Sequence, residues 1–142
     1  MRTVRERRRA RGWALRVLYA WESRSGTVPI LQILREFEEE GRVAPSSRKY
    51  LNRLMRTIDQ NLDEIDDELQ LALTNWRLDR LAAIDRNILR IASAELLYIE
   101  DVPPLVSIQQ AMEIAERYGT EESPRFINGV LDALLAKIEG RE

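Results

Sequence analysis

The chain has 142 residues, enough for one domain with a proper core. It contains no cysteine and no histidine, which excludes disulfides, thiolate metal sites, cysteine nucleophiles and the commonest general base. The net charge of −2 conceals an asymmetry: residues 1–24 hold eight arginines against two glutamates, a local +6, so the other 118 residues carry −8. An acidic body with a basic N-terminal patch points to a specific anionic partner. No apolar run is long enough to span a bilayer, and no signal-peptide core follows the basic start, so a cytoplasmic protein is expected.

Arg5 to Trp21 reads as a two-faced helix at 100° per residue. Ala10, Trp13, Ala14, Val17, Leu18 and Trp21 form its apolar stripe. Arg5, Arg8, Arg9 and Arg16 gather opposite, with Gly12 and Tyr19 in the same sector. Thr3 with Glu6 fits a capping box. Guanidinium groups bind phosphate bidentately and stack on bases, so the arginines favour nucleic acid over a merely solvated face.

Pro29 suits the first turn of a second helix, whose stripe is Ile30, Ile33, Leu34 and Phe37 and whose stop is Gly41. Ser46 or Ser47 is expected to cap a third helix that buries Tyr50, Leu51, Leu54, Met55 and Ile58. The pattern resumes through Leu62, Ile65, Leu69, Ala72 and Leu73 after a bend near Asn61. Asp63, Glu64, Asp66, Asp67 and Glu68 diverge around the outer side, which predicts a solvated face over a metal site.

Trp76 to Leu81 predicts a short helical segment before the central helix, which carries Ile84, Ile88, Leu89, Ile91, Ala92, Leu96 and Ile99. Glu95 lies in that apolar sector, and a structural hydrogen-bonding role is expected for it. Val102-Pro103-Pro104 ends the helix. Ser107 with Gln110 is expected to cap the next, which runs to Gly119. Ser123-Pro124 opens the last helix, with Ile127, Val130, Leu131, Leu134, Leu135 and Ile138 as its stripe. Phe126 lies roughly 110° from that stripe's centre, counting 100° per residue, which makes it either a base-stacking surface or a gap filler. No glycine pattern fits a phosphate loop or dinucleotide site, and no cofactor is expected.

Three blocks carry a family resemblance. They are Arg7-Arg8-Arg9-Ala10-Arg11 with Ala14 and Leu18-Tyr19; Asp85-Arg86, Leu89-Arg90-Ile91-Ala92, Glu95-Leu96, Val102-Pro103 and Val106; and Phe126-Ile127-Asn128-Gly129-Val130-Leu131-Asp132. In this order and spacing the chain resembles the NusB family of transcription antitermination factors over about residues 5–138. One departure is Ile108-Gln109-Gln110-Ala111, where the family usually reads Ile-Asn-Glu-Ala.

The resemblance implies one all-α domain over residues 1–142, about seven helices forming two packed three-helix subdomains. It implies a non-enzymatic factor that binds the single-stranded boxA element of ribosomal RNA leaders. NusE, a small-subunit ribosomal protein, is the implied partner, within a complex on RNA polymerase. A homodimer of the free chain is an alternative assembly. By motif, Arg7, Arg8, Arg9, Arg11, Tyr19, Glu122 and Phe126 fall at the RNA, joined by Arg5 from the basic helix face, and Asp85, Arg86 and Arg90 fall on the NusE face. Two other readings compete. One is an RNA-binding module like that fused to ribosomal RNA cytosine methyltransferases, although no methyltransferase domain stands in these 142 residues. The other is a helical DNA-binding regulator.

Overall fold

The periodic apolar segments fold as helices in the computed structural model, which describes residues 2–140 apart from the Arg2 side chain. The ends of the expected 1–142 domain, Met1, Arg141 and Glu142, lie outside the described residues. In chain order the helices are α1 (Arg2–Ser23), α2 (Ile30–Glu39), α3 (Pro45–Ala72), a 3-10 turn (Leu78–Arg80), α4 (Ala83–Tyr98), α5 (Pro104–Tyr118) and α6 (Ser123–Gly140). No strand occurs among the described residues. Among the described residues α3 consists of two helical arms joined at a kink, so the helices agree with the expected count of about seven. At Asn61 the backbone leaves helical values (φ −125°, ψ 20°). The chain divides there into two compact units, Met1–Gln60 and Asn61–Glu142.

In the first unit α1 packs on α2. Ala10, Ala14, Val17 and Leu18 are fully buried from α1, Ile33 and Leu34 from α2, and Leu51, Leu54, Met55 and Ile58 from the first arm of α3. Truncating a core leucine such as Leu18 to alanine costs about 2–5 kcal/mol. The buried face of α1 is shifted from the stripe its periodicity indicates, since Leu15 is buried while Trp13 and Trp21 are only partly so. Trp13 meets Phe37 edge to face, ring centres 6.2 Å apart. Gly41, with φ of 72°, closes α2 in the left-handed region where a side chain would be strained.

In the second unit α4, α5 and α6 pack on one another. The second arm of α3 adds Ile65 and Leu69 to their core. Arg90 of α4, 6% exposed, ties that arm in place. Its Nε and one terminal nitrogen donate to the two carboxylate oxygens of Asp66 at 2.9 and 3.0 Å, and its other terminal nitrogen donates to Asn87 Oδ1 at 3.0 Å. A planar fork meeting a carboxylate bidentately satisfies both charges where water is scarce. The acidic face of α3 is therefore not wholly solvated. Asp66 turns to Arg90, and Glu64 accepts from the Tyr98 hydroxyl at 2.7 Å. Glu95 lies buried within the packed sector of α4, as its position predicts.

The helix starts correct four capping expectations. Thr3 stands inside α1. Pro45 and Pro104 begin α3 and α5, so Ser47 and Ser107 lie in the first turn, with their backbone N–H groups bonded to Ala44 and Pro103. Proline fixes φ and lacks an N–H, so a helix starts at it without a serine cap. Ser123 also lies inside its helix, and its hydroxyl accepts from the Thr120 N–H at 2.9 Å. That hydroxyl explains Gly119: a Cβ there would lie 2.5 Å from Ser123 Oγ.

Two outcomes test this packing. Asp66→Ala strands the Arg90 guanidinium in the interior and is expected to lower the urea unfolding free energy by about 3 kcal/mol. Burial, reinforced by the hydrogen bond to Glu64, pushes the Tyr98 phenol up to about 12. The folded state then holds that proton more tightly than the unfolded chain, whose tyrosines titrate near 10. This stabilisation is present below pH 10 and is lost as pH rises toward 12. Urea melts should show the advantage of wild type over Tyr98→Phe shrinking between pH 9.5 and about 11.5; an advantage independent of pH would contradict the assignment.

Candidate nucleic-acid interface

In the first unit, α1 presents the expected basic face. Arg5, Arg8, Arg9 and Arg16 are exposed, and Tyr19 between them is 50% exposed. The Arg16 guanidinium lies 4.5 Å from the centre of the Trp13 ring. Two arginines of the same run behave differently. Arg7 is half-buried, 4.6 Å above the ring of Tyr50. Arg11 is 3% exposed, 5.6 Å from that ring. Arg7, Arg11 and the buried Leu15 form one i, i+4 row down the edge of the packed face. Arg11, expected at the RNA, is not on the exposed face: its side chain is buried and its guanidinium lies beside an aromatic ring. The exposed face retains four arginines and a tyrosine, a combination suited to phosphates and unpaired bases.

In the second unit, the start of α6 opens on a cleft of about 400 Å³ lined by Trp76, Arg80, Leu81, Ala82, Asp85, Thr120, Glu122, Ser123 and Phe126. Phe126 is half-buried, and its ring meets that of Trp76 nearly at right angles (79°), centres 6.0 Å apart. Trp76 itself is 61% exposed. Glu122 is exposed, with Thr120 Oγ1 3.4 Å from its carboxylate. Across the aromatic pair lies a second cleft of about 370 Å³ that includes Arg125 and Gly129.

The cleft wall at residues 76–81 has no long helix to hold it, yet it is clamped. The Gln70 side chain accepts from the Leu78 N–H at 2.9 Å and donates to the Trp76 carbonyl at 2.8 Å. From α4, one terminal nitrogen of Arg86 donates to the carbonyls of Leu81 at 2.6 Å and Leu78 at 3.3 Å. These bonds satisfy backbone groups that the short turn leaves open.

The three residues expected on the NusE face are dispersed. Arg90 lies in the interior of the second unit, with its guanidinium bonded to Asp66 and Asn87. Arg86 is partly buried and holds the 76–81 segment. Asp85 opens into the same cleft as Glu122 and Phe126. Sequence reasoning missed Trp76, Arg80 and Gln70 as parts of this site. The available signal was a tryptophan in a short polar stretch, Thr74-Asn75-Trp76-Arg77, between two helices.

Fold and site together define an all-helical binding protein with an arginine face on one unit and an aromatic cleft on the other. The NusB family model matches residues 8–136, and the chain belongs to the NusB family. Transcription antitermination protein NusB of Chloroherpeton thalassium is 40% identical over 136 residues, 95% of this chain. The chain spans 64% of that relative's length. A solved structure of T. maritima NusB superposes with a TM-score of 0.84 at 40% identity, covering 92% of this chain and 91% of that one. A crystal structure of antitermination factors NusB and NusE in complex with double-stranded RNA superposes with a TM-score of 0.82 at 28% identity, covering 94% of this chain and 98% of that one.

The two classes of arginine separate experimentally. Arg8→Glu with Arg9→Glu should weaken RNA binding and reduce the log–log salt slope by about 0.7 for each phosphate no longer neutralised, with helical circular dichroism intact. Arg11→Ala should instead lower stability by about 1–3 kcal/mol through weakened packing, with little change in salt slope. Salt-dependent RNA titrations paired with urea melts check both. Equal salt slopes for wild type and the double glutamate variant would remove the α1 face from the interface.

Proposed function

We propose that this protein is a transcription antitermination factor that binds the boxA element of ribosomal RNA leaders together with NusE, in a complex on elongating RNA polymerase. The observation that carries this reading is the exposed arginine face of α1, set on a chain whose remaining residues are strongly acidic. RNA affinity then depends on where the arginines are, because net charge opposes binding elsewhere. Arg5, Arg8, Arg9 and Tyr19 supply the phosphate and stacking contacts of the first unit, with Arg7 at the edge of that face. In the second unit Phe126 supplies a stacking face, and the Glu122 carboxylate beside it an acceptor for base N–H groups. The protein acts by binding and positioning, without a catalytic step, in the cytoplasm where transcription takes place.

The solved NusB–NusE pair with double-stranded RNA supports both a protein partner and an RNA ligand for this family. A single-stranded boxA target is favoured here by the exposed tyrosine and the aromatic cleft, because unpaired bases offer free faces for stacking. Of the three positions expected on the NusE face, Asp85 and Arg86 both retain partial exposure at the start of α4; Asp85 lines the cleft, and Arg86 is proposed as the contact.

A ribosomal partner brings positive charge, so NusE docked beside a phosphate-binding face should tighten RNA binding. By linkage boxA RNA must tighten NusE binding by the same factor. The expected coupling is about 1–3 kcal/mol. Calorimetric titrations around the full cycle, with boxA RNA, a scrambled RNA and duplex DNA, provide the test. Equal affinity for boxA and scrambled RNA, or independent binding of the two partners, would overturn the proposal.

A further inference from the structure

The cleft beneath Trp76 has features that a general phosphate-binding role does not require. Trp76 exposes most of its indole to solvent, although water is a poor neighbour for so large an apolar ring. The segment that bears it is nevertheless held by four hydrogen bonds, two to Gln70 and two from Arg86. An exposed aromatic on a clamped backbone is pre-organised, so a ligand that stacks on it forgoes most of the ordering cost. Phe126 stands nearly perpendicular to it, and the two rings make a corner for a flat group. The volume, about 400 Å³, accommodates one nucleobase with its ribose.

The polar lining is specific as well. Arg80 lines the cleft and offers a guanidinium to a backbone phosphate. Asp85 lines the same cleft and makes no hydrogen bond or ion pair among the described residues. A carboxylate is an acceptor only. Among the four bases, guanine alone presents two adjacent N–H donors, N1–H and the N2 amino group, which one carboxylate takes side by side. The uracil N3–H is flanked by two carbonyl oxygens that a carboxylate repels. The amino groups of adenine and cytosine each lie beside a ring nitrogen that is itself an acceptor.

We propose that this cleft is a nucleobase pocket that selects an unpaired guanine, with Trp76 as the stacking face, Asp85 as the acceptor for the guanine N–H groups, and Arg80 on the adjoining phosphate. The inference rests on the RNA-binding reading above and deepens it by naming residues that read sequence as opposed to residues that supply affinity.

The test uses the full chain and a boxA-bearing leader RNA, intact or with a single abasic site moved along it. Trp76→Ala should weaken binding roughly 5- to 150-fold, the range for losing one base–aromatic stack, and Trp76→Phe should restore part of it. Because Trp76 is exposed, urea melts of these variants should match wild type. One abasic position should weaken wild type yet leave Trp76→Ala no weaker than it already is, and that position should be a guanine. Inosine there, which lacks the N2 amino group, should weaken wild type roughly tenfold and have no effect on Asp85→Asn. Wild type that fails to bind the intact RNA would overturn the RNA reading and the pocket together. Wild type that binds, loses affinity with Arg8→Glu and Arg9→Glu, and is indifferent to Trp76→Ala would overturn the pocket alone. A Trp76→Ala variant that loses affinity for NusE and keeps that for RNA would reassign the cleft to a protein side chain. Loss at an abasic position that is not guanine would overturn the base assignment.

Discussion

The second unit depends on what two arginines of α4 hold. Arg90 and Arg86 are one helical turn apart, yet they reach in different directions. Arg90 fastens α4 to the second arm of α3 through Asp66, with Asn87 taking its remaining nitrogen. Arg86 fastens α4 to the 76–81 segment through two backbone carbonyls. Packing of α4 against α5 and α6 is apolar and tolerates small slips, as hydrophobic contact is non-directional. The guanidinium bonds do not, because a planar fork meets its acceptors in few geometries. They set where the cleft wall stands relative to α6, and so set the corner between Trp76 and Phe126.

In the first unit arginine is used both for packing and for presentation, and exposure separates the two uses. Arg7 and Arg11 rest against Tyr50, where their charge meets the negative face of an aromatic ring. That contact anchors α1 to the first arm of α3 and keeps the outward arginines on one face. Arg5, Arg8, Arg9 and Arg16 project there without being needed for the core. A helix that gave all its arginines to solvent would carry more charge but lack this anchor.

The first unit thus carries an electrostatic element and the second an aromatic one. Under the proposed function, phosphate contacts on α1 account for affinity that varies with salt, and base contacts at the α6 cleft for selectivity that varies with sequence. The acidic body suits this division. Away from the arginine face, negative charge opposes the approach of any polyanion.

Helical class, the two-faced character of α1, the bend near Asn61 and the exposed positions of Arg5, Arg8, Arg9 and Tyr19 were legible from sequence, because 3.6-residue periodicity alone decides which side of a helix is apolar. The family was legible too, since three motif blocks recur in order. Periodicity does not say which flank of a stripe meets a neighbour, so the burial of Arg11 and Leu15 follows only from α3 lying beside α1. Nor does it reveal contacts between residues far apart in sequence. Arg90 with Asp66, Gln70 with the 76–78 backbone, and Trp76 with Phe126 are separated by 24, 8 and 50 positions or fewer, and no local pattern links them. Asp85 shared a motif with Arg86, yet a 100° step on the helix sends one side chain to the cleft and the other to its supporting wall. Tertiary structure decided those roles, because the destination of a side chain depends on what packs opposite it.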